Sequence, residues 1–253
     1  MEQLGALWAI ITAVQPALPL PLVLLCVAAA GAAVVLSPVW RIARHVVTTV
    51  HEAGHGLAAT LSGRRLAGIR LHSDTSGVTV SVGRPRGPGM VLTLISGYPA
   101  PALLGLGAAL LVGLGHGVGF LWALLGILAL VLLQIRNWFG LVVVVVSVAA
   151  VLGVTLLLPP LGQTAVATTV AGFLCLGALR ASVELQGARR REGAGRGRGT
   201  SDADQLARLT RVPAPFWVAV FVGCSLASAV VGGILLLRID PQQASADLAW
   251  LWR

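Results

Sequence analysis

The sequence predicts an all-α polytopic membrane protein with about seven transmembrane helices and a small β-hairpin after the second of them. Three observations carry this. Of 253 residues, 57% are hydrophobic and 11% charged, a balance that suits lipid rather than water as the surrounding medium. The apolar residues gather into runs of about 20, the length needed to cross a hydrocarbon core. Between two runs lies "LAGIRLHSDTSGVTVSVG", where Val78, Val80 and Val82 alternate with small polar residues beside a turn-forming "SDTSG".

In chain order, residues 3–15 read as a short apolar helix at the membrane interface, set off by Pro16, Pro19 and Pro21 from a first span at 17–37. "CVAAAGAA" offers small residues like a signal-cleavage site. Glu2 and the absence of arginine before it argue against a leader, so the run is expected to stay as a mature span. A second span, 41–62, follows Arg41 and Arg44 and stops at Gly63, with Arg64 and Arg65 beyond. The hairpin at 66–83 and "GRPRGPG" come next, then runs at 89–113, 117–134, 138–158 and 163–183. Glycine and proline in "SGYPAPALLG" predict that the first of these is bent and closely packed. "QGARRREGAGRGRGT" at 186–200 reads as a flexible loop, and "SDADQLARLTRVPAPFW" opens with capping residues as a short helix before a last span at 214–237. The organisation expected is an N-terminal unit (1–40), a core (41–238) and a C-terminal tail (239–253).

The net charge is +9 and there is no lysine. Seven crossings from a cytoplasmic N-terminus place every arginine except Arg41, Arg44, Arg238 and Arg253 on the cytoplasmic side, so the charge reads as membrane orientation. Without an aromatic-interleaved basic platform, nucleic acid is not an expected partner. Cys26, Cys175 and Cys224 lie far apart inside apolar runs, which excludes a disulfide framework and a cysteine zinc site. The alanine- and valine-rich composition fits a bacterial plasma membrane.

One stretch breaks the apolar pattern. "VHEAGHGLAAT" puts His51, Glu52 and His55 within a span, where each ionised group costs at least about 2.5 kcal/mol. A bound cation is the simplest compensation. Residues four apart share a helix face, so both imidazoles reach one ion, with Glu52 beside it as a base. Zinc suits two neutral imidazoles, a carboxylate and one open position for water. Gly54 and Gly56 are expected to leave room for a substrate backbone. Candidates for the third ligand are Asp74, Asp202, Asp204, His72 and His116. Topology places His116 on the opposite face; Asp74 and His72 read as turn and hairpin residues. Spacing leaves Asp202 and Asp204 nearly even, and both also fit plain helix capping.

"HEAGHGLAATLSGRRLAGIRLHSDTSGVT", "SGYPAPALLG", "RNWFG" and "SDADQLARLT", in this order, resemble the M50B-type branch of the site-2 protease superfamily, membrane zinc metalloproteases. The resemblance covers about 41–235. It implies zinc held by His51 and His55, Glu52 as the catalytic base, and hydrolysis of a peptide bond at or within the membrane. The superfamily's usual aspartate-glycine motif is absent; the "SDA" in its place favours Asp202 as third ligand. Asn137 of "RNWFG" matches the branch pattern, where it orients a helix end or a substrate strand, or caps a helix.

The expected function is therefore a zinc-dependent intramembrane or juxtamembrane endopeptidase acting on a transmembrane protein or peptide, its site toward the cytoplasm. A non-proteolytic zinc-binding scaffold is the alternative, against which the intact Glu52 argues. A transporter would show ionisable residues through several spans or an internal repeat, and neither is present.

Overall fold

A computed structural model describes residues 2–191 and 199–237. The predicted tail at 239–253 and most of the predicted arginine-glycine loop lie outside the described residues. Ten helices and a two-stranded sheet are described. The order is α1 (Glu2–Thr12), α2 (Leu20–Val35), α3 (Ser37–Leu61), β1 (Arg65–Leu71), β2 (Gly77–Val82), α4 (Pro88–Ser96), α5 (Pro99–Gly113), α6 (Gly117–Gln134), α7 (Trp138–Leu157), α8 (Pro160–Arg191), α9 (Asp202–Thr210) and α10 (Ala214–Leu237).

Four helices, α6, α7, α8 and α10, are each long and apolar enough to cross a membrane, and up to six spans exist if each of two bent pairs counts as one. The expected seven is thus not reached. The difference lies in α2 and α3, which meet at 98° and pass the test only together. At 16 residues α2 is short, while the apolar character of α3 is diluted by Arg41, Arg44, His45 and the histidine motif. Pro38 explains the bend. It has no N–H for the carbonyl of Val34, Leu36 between the helices is extended, and Val34 O accepts from Arg180 instead. The second pair, α4 and α5, bends by 59° ahead of Pro99, as "SGYPAP" predicts.

The centre of the bundle is α8, packed against α2, α5, α6 and α10. Small residues set the spacing, as expected where lipid provides no hydrophobic drive between helices and close backbone approach must hold them. A Cβ on Gly105 would lie 2.8 Å from the backbone nitrogen and Sγ of Cys175, and one on Gly232 3.0 Å from the same sulfur. All three cysteines are free. The helix α8 also runs past the predicted span to Arg191, so residues 186–191, expected in the flexible loop, are helical. Its last turns and α4 and α10 receive α9, whose Ala203 and Leu206 are buried against Leu94, Leu185, Ala214, Val218 and Phe221.

β1 and β2 pair antiparallel from Arg65↔Val82 to Leu71↔Gly77, with an irregularity between Leu66 and Gly68. Gly68 has φ +142°, and a Cβ there would meet the stem of Arg136 at 2.3 Å and Gln134 O at 3.0 Å. At the tip, Asp74 Oδ1 accepts from Ser76 N (3.0 Å) and Ser76 Oγ (2.6 Å). The hairpin lies along α3, with β2 running in the same direction: Thr48 Oγ1 donates to Thr75 O at 2.9 Å and Thr79 Oγ1 to Glu52 O at 2.9 Å.

Candidate metal centre

His51 and His55 stand one turn apart on α3, their Nε2 atoms 3.0 Å from each other. Asp202, the first residue of α9, brings Oδ2 to 3.3 Å from His51 Nε2 and 3.2 Å from His55 Nε2. These three residues form the metal-competent group among the described residues. Four ligands placed tetrahedrally at about 2.0–2.1 Å from a zinc ion lie about 3.3 Å apart, so the triangle has the right size.

The hydrogen bonding sharpens the fit. His55 Nδ1 lies 2.6 Å from Thr93 O. A carbonyl only accepts, so Nδ1 carries the proton and Nε2 is left as a lone pair. Thr93 O is available because α4 ends at Ser96, which removes the continuing helical donor from the last carbonyls. His51 Nε2 and Asp202 Oδ2 meet His55 Nε2 at the same point, so three atoms able to bind a metal converge there.

Asp202 lies outside the membrane-spanning helices. Burial favours its neutral acid, but the facing His55 and His51 outweigh this and hold its carboxyl below the usual carboxylate range. Asp204, the other candidate from the sequence, takes a different part. Its Oδ1 accepts from Arg189 Nε (3.1 Å) and Nη2 (2.7 Å), and its Oδ2 from Ser201 Oγ (2.5 Å). Asp204 N donates back to Ser201 Oγ at 3.3 Å, so Ser201 is the N-cap of α9. Asp204 thus docks the helix that presents Asp202.

Glu52 is buried, and its Oε2 accepts from Thr79 Oγ1 at 2.6 Å. It lines, with His51, His55 and Asp202, a cavity of about 540 Å³ bounded by β2, α4, α8 and α9. Asp74 and His72 stay in the hairpin turn, where Ser76 bonds both. His116 sits at the start of α6, outside this cavity.

Two expectations change. Gly54 and Gly56 do not open room for a substrate: a Cβ on Gly54 would collide with Ala100 Cβ at 2.4 Å and one on Gly56 would press Leu66 at 3.2 Å, so these glycines seat α5 and the hairpin against α3. Asn137 makes no capping bond to α7. Its Nδ2 donates to Leu71 O (2.6 Å) and its Oδ1 accepts from Leu71 N (3.1 Å), pairing with the edge of β1 as a strand would.

Residues the sequence reading did not single out complete the site. A Cβ on Gly97 would lie 2.4 Å from His55 Nε2 and 2.7 Å from His51 Cε1, so the break between α4 and α5 makes space for both rings. Tyr98 packs edge-on to His51 at 4.7 Å and stacks on Phe221 at 4.9 Å, tying α3 to α10. A glycine at a helix break in "SGYP" was the available signal; Thr93 and Thr79 carry none.

A family model described as Peptidase M50B-like matches residues 24–232. No curated protein and no solved structure matches the chain.

Proposed function

The chain belongs to the M50B-like peptidase family, and from that premise we propose a zinc-dependent endopeptidase that hydrolyses a peptide bond of a membrane-protein substrate at or within the bilayer. The observation that carries this reading is the convergence of His51, His55 and Asp202 on one point beside Glu52. Zinc held by these three side chains would supply Lewis-acid polarisation of the scissile carbonyl and acidify water toward neutral pH.

The chain's own residues account for the rest. Thr93 O holds His55 in the tautomer that offers Nε2. Thr79 holds the Glu52 carboxylate at the cavity, where it takes the proton of the attacking water and delivers it to the leaving amine. The hairpin supplies an edge for an unwound substrate. Arg136 N bonds Ile69 O at 2.9 Å, and Asn137 pairs with Leu71, so β1 is covered on its outer side. β2 has no backbone–backbone hydrogen bond beyond its pairing with β1 among the described residues. Gly77, Val78, Thr79 and Ser81 line the cavity, so a substrate added to β2 as a strand lies across the metal centre.

Orientation follows from the arginines. Counting α2 and α3 as one crossing moves the N-terminus to the side opposite the hairpin, while the arginine-rich side, with the hairpin and α9, remains cytoplasmic. A bacterial plasma membrane is the proposed setting.

The test is cleavage of a panel of single-span model substrates co-reconstituted in vesicles, with zinc-loaded wild type beside Glu52→Gln. Cleavage by wild type alone supports the reading. Zinc bound at one per chain with no cleavage of any substrate favours a zinc-binding scaffold.

A further inference from the structure

We propose that Arg44 forms a subsite for a carboxylate of the substrate, placed about three residues from the scissile bond. The inference rests on the endopeptidase reading and adds to it a class of substrate: one carrying an acidic side chain, or its free C-terminus, at that spacing.

Arg44 lies on the stripe of α3 that also presents Thr48, His51, Glu52 and His55, and all five line the cavity. Its one described polar contact is to Glu184, Nη1 to Oε2 at 3.4 Å. That contact is not a hydrogen bond, and Glu184 Oε2 is buried without a hydrogen-bond donor. The other oxygen, Oε1, is taken by Arg180 Nε at 2.7 Å. Arg180 has further fixed duties: it donates to Val34 O at the α2–α3 bend and lies 4.7 Å over the Trp40 ring. Two guanidinium groups therefore share one carboxylate, and the better bond belongs to Arg180. Arg44 is left with one long ion pair and no hydrogen bond among the described residues, and it lines the cavity.

The remaining charges near the site do not answer it. Arg189, the other cavity arginine, is committed to Asp204 and Gln186. The negative charges of Asp202 and Glu52 match a divalent ion at the centre. A partly exposed guanidinium lining a cavity pairs best with an acceptor that brings its own negative charge, and its planar fork matches a carboxylate.

The spacing comes from the helix and the strand. Arg44 precedes His51 by seven residues, about 10 Å along a helix axis. An extended chain advances about 3.3 Å per residue, so about three residues of substrate separate the metal from Arg44. The direction is set by the hairpin. Thr79 sits beside Glu52 and Thr75 beside Thr48, so a strand laid along β2 and passing Thr75 runs toward Arg44.

The test uses a peptide library with a randomised extended segment, bound to the zinc-loaded Glu52→Gln protein in detergent micelles and read by mass spectrometry. Aspartate and glutamate should be enriched about ten-fold over asparagine and glutamine at one position. Adding Arg44→Gln should abolish the enrichment, Arg44→Lys should keep part of it, and Arg44→Glu should turn it toward lysine and arginine. A matched library with amidated C-termini separates a side-chain carboxylate from a terminal one. Equal enrichment with and without Arg44, or none at all in peptides that bind, overturns the subsite. A parallel digestion by wild type separates this outcome from the parent reading. Cleavage without acidic preference removes the subsite alone; acidic binding without cleavage removes the peptidase activity and leaves the subsite standing.

Discussion

Where α5, α8 and α10 meet, the contacts are made by Gly105, Cys175 and Gly232, atoms pressed together with no polar bond between them. Around the metal-competent group, Thr48 and Thr79 join α3 to the hairpin, Asn137 joins β1 to the start of α7, and Arg189 and Asp204 join α8 to α9, each bonding a backbone or charged partner. The first region is held chiefly by steric fit, because lipid tails are as apolar as the helices, with one buried hydroxyl pair, Ser182 and Ser225 at 3.1 Å, between α8 and α10. The second needs direction as well as contact, since a metal ligand displaced by an ångström no longer binds. Bundle changes should therefore act on the fold as a whole, and changes around the site on the geometry of a few atoms.

The sharpest separation is Glu52→Gln. It should lower cleavage by about 10²- to 10⁴-fold while zinc content and melting temperature stay at wild-type values; a comparable loss of zinc would mean that Glu52 is a ligand. Next is Asp204→Ala, which strips a buried pair of one partner and costs about 3 kcal/mol. Because Asp204 docks α9 without facing the metal, zinc should be lost from an otherwise folded bundle, read by metal analysis beside thermal unfolding. Unchanged zinc would show that α9 is held by Ala203 and Leu206 alone. Gly105→Val does the reverse. Overpacking against the Cys175 backbone costs about 2 kcal/mol and should lower the melting temperature of the whole protein, with the folded fraction still binding zinc. The smallest effect expected is from Asn137→Ala, about 1–2 kcal/mol for two lost bonds, confined to faster amide exchange at Leu71 on the edge of β1.

The same contrast explains what could be read in advance. Hydropathy reports where lipid-facing helices run, so the predicted spans at 117–134 and 214–237 coincide with α6 and α10. It does not report how consecutive helices join. Pro38 is compatible with a helix start as well as with a bend, and only the geometry at Leu36 shows that α2 and α3 meet at 98° and are long and apolar enough for a membrane only as a pair. In the site, His51, Glu52 and His55 were legible because helical spacing alone brings them together. Asp202 and Asp204 could not be separated by spacing, since both belong to the first turn of α9. In the structure Arg189 of α8 captures Asp204, and Asp202 joins His51 and His55 in the group that could hold a metal. The role of Asn137 was open because its partner, Leu71, is 66 residues away in sequence. Gly54 and Gly56 were assigned to a substrate because the hairpin and α5 that fill their space come later in the chain.

The measurement closest to the central claim is the zinc content of the detergent-purified protein, with wild type, His55→Ala, Asp202→Ala and Asp204→Asn variants compared after removal of loosely bound metal. The account predicts about one zinc per chain in wild type, none in His55→Ala or Asp202→Ala, and zinc retained, more weakly, in Asp204→Asn, whose side chain still accepts from Arg189. A well-folded wild type that binds no zinc, or an Asp202→Ala protein that binds it as wild type does, would contradict the account.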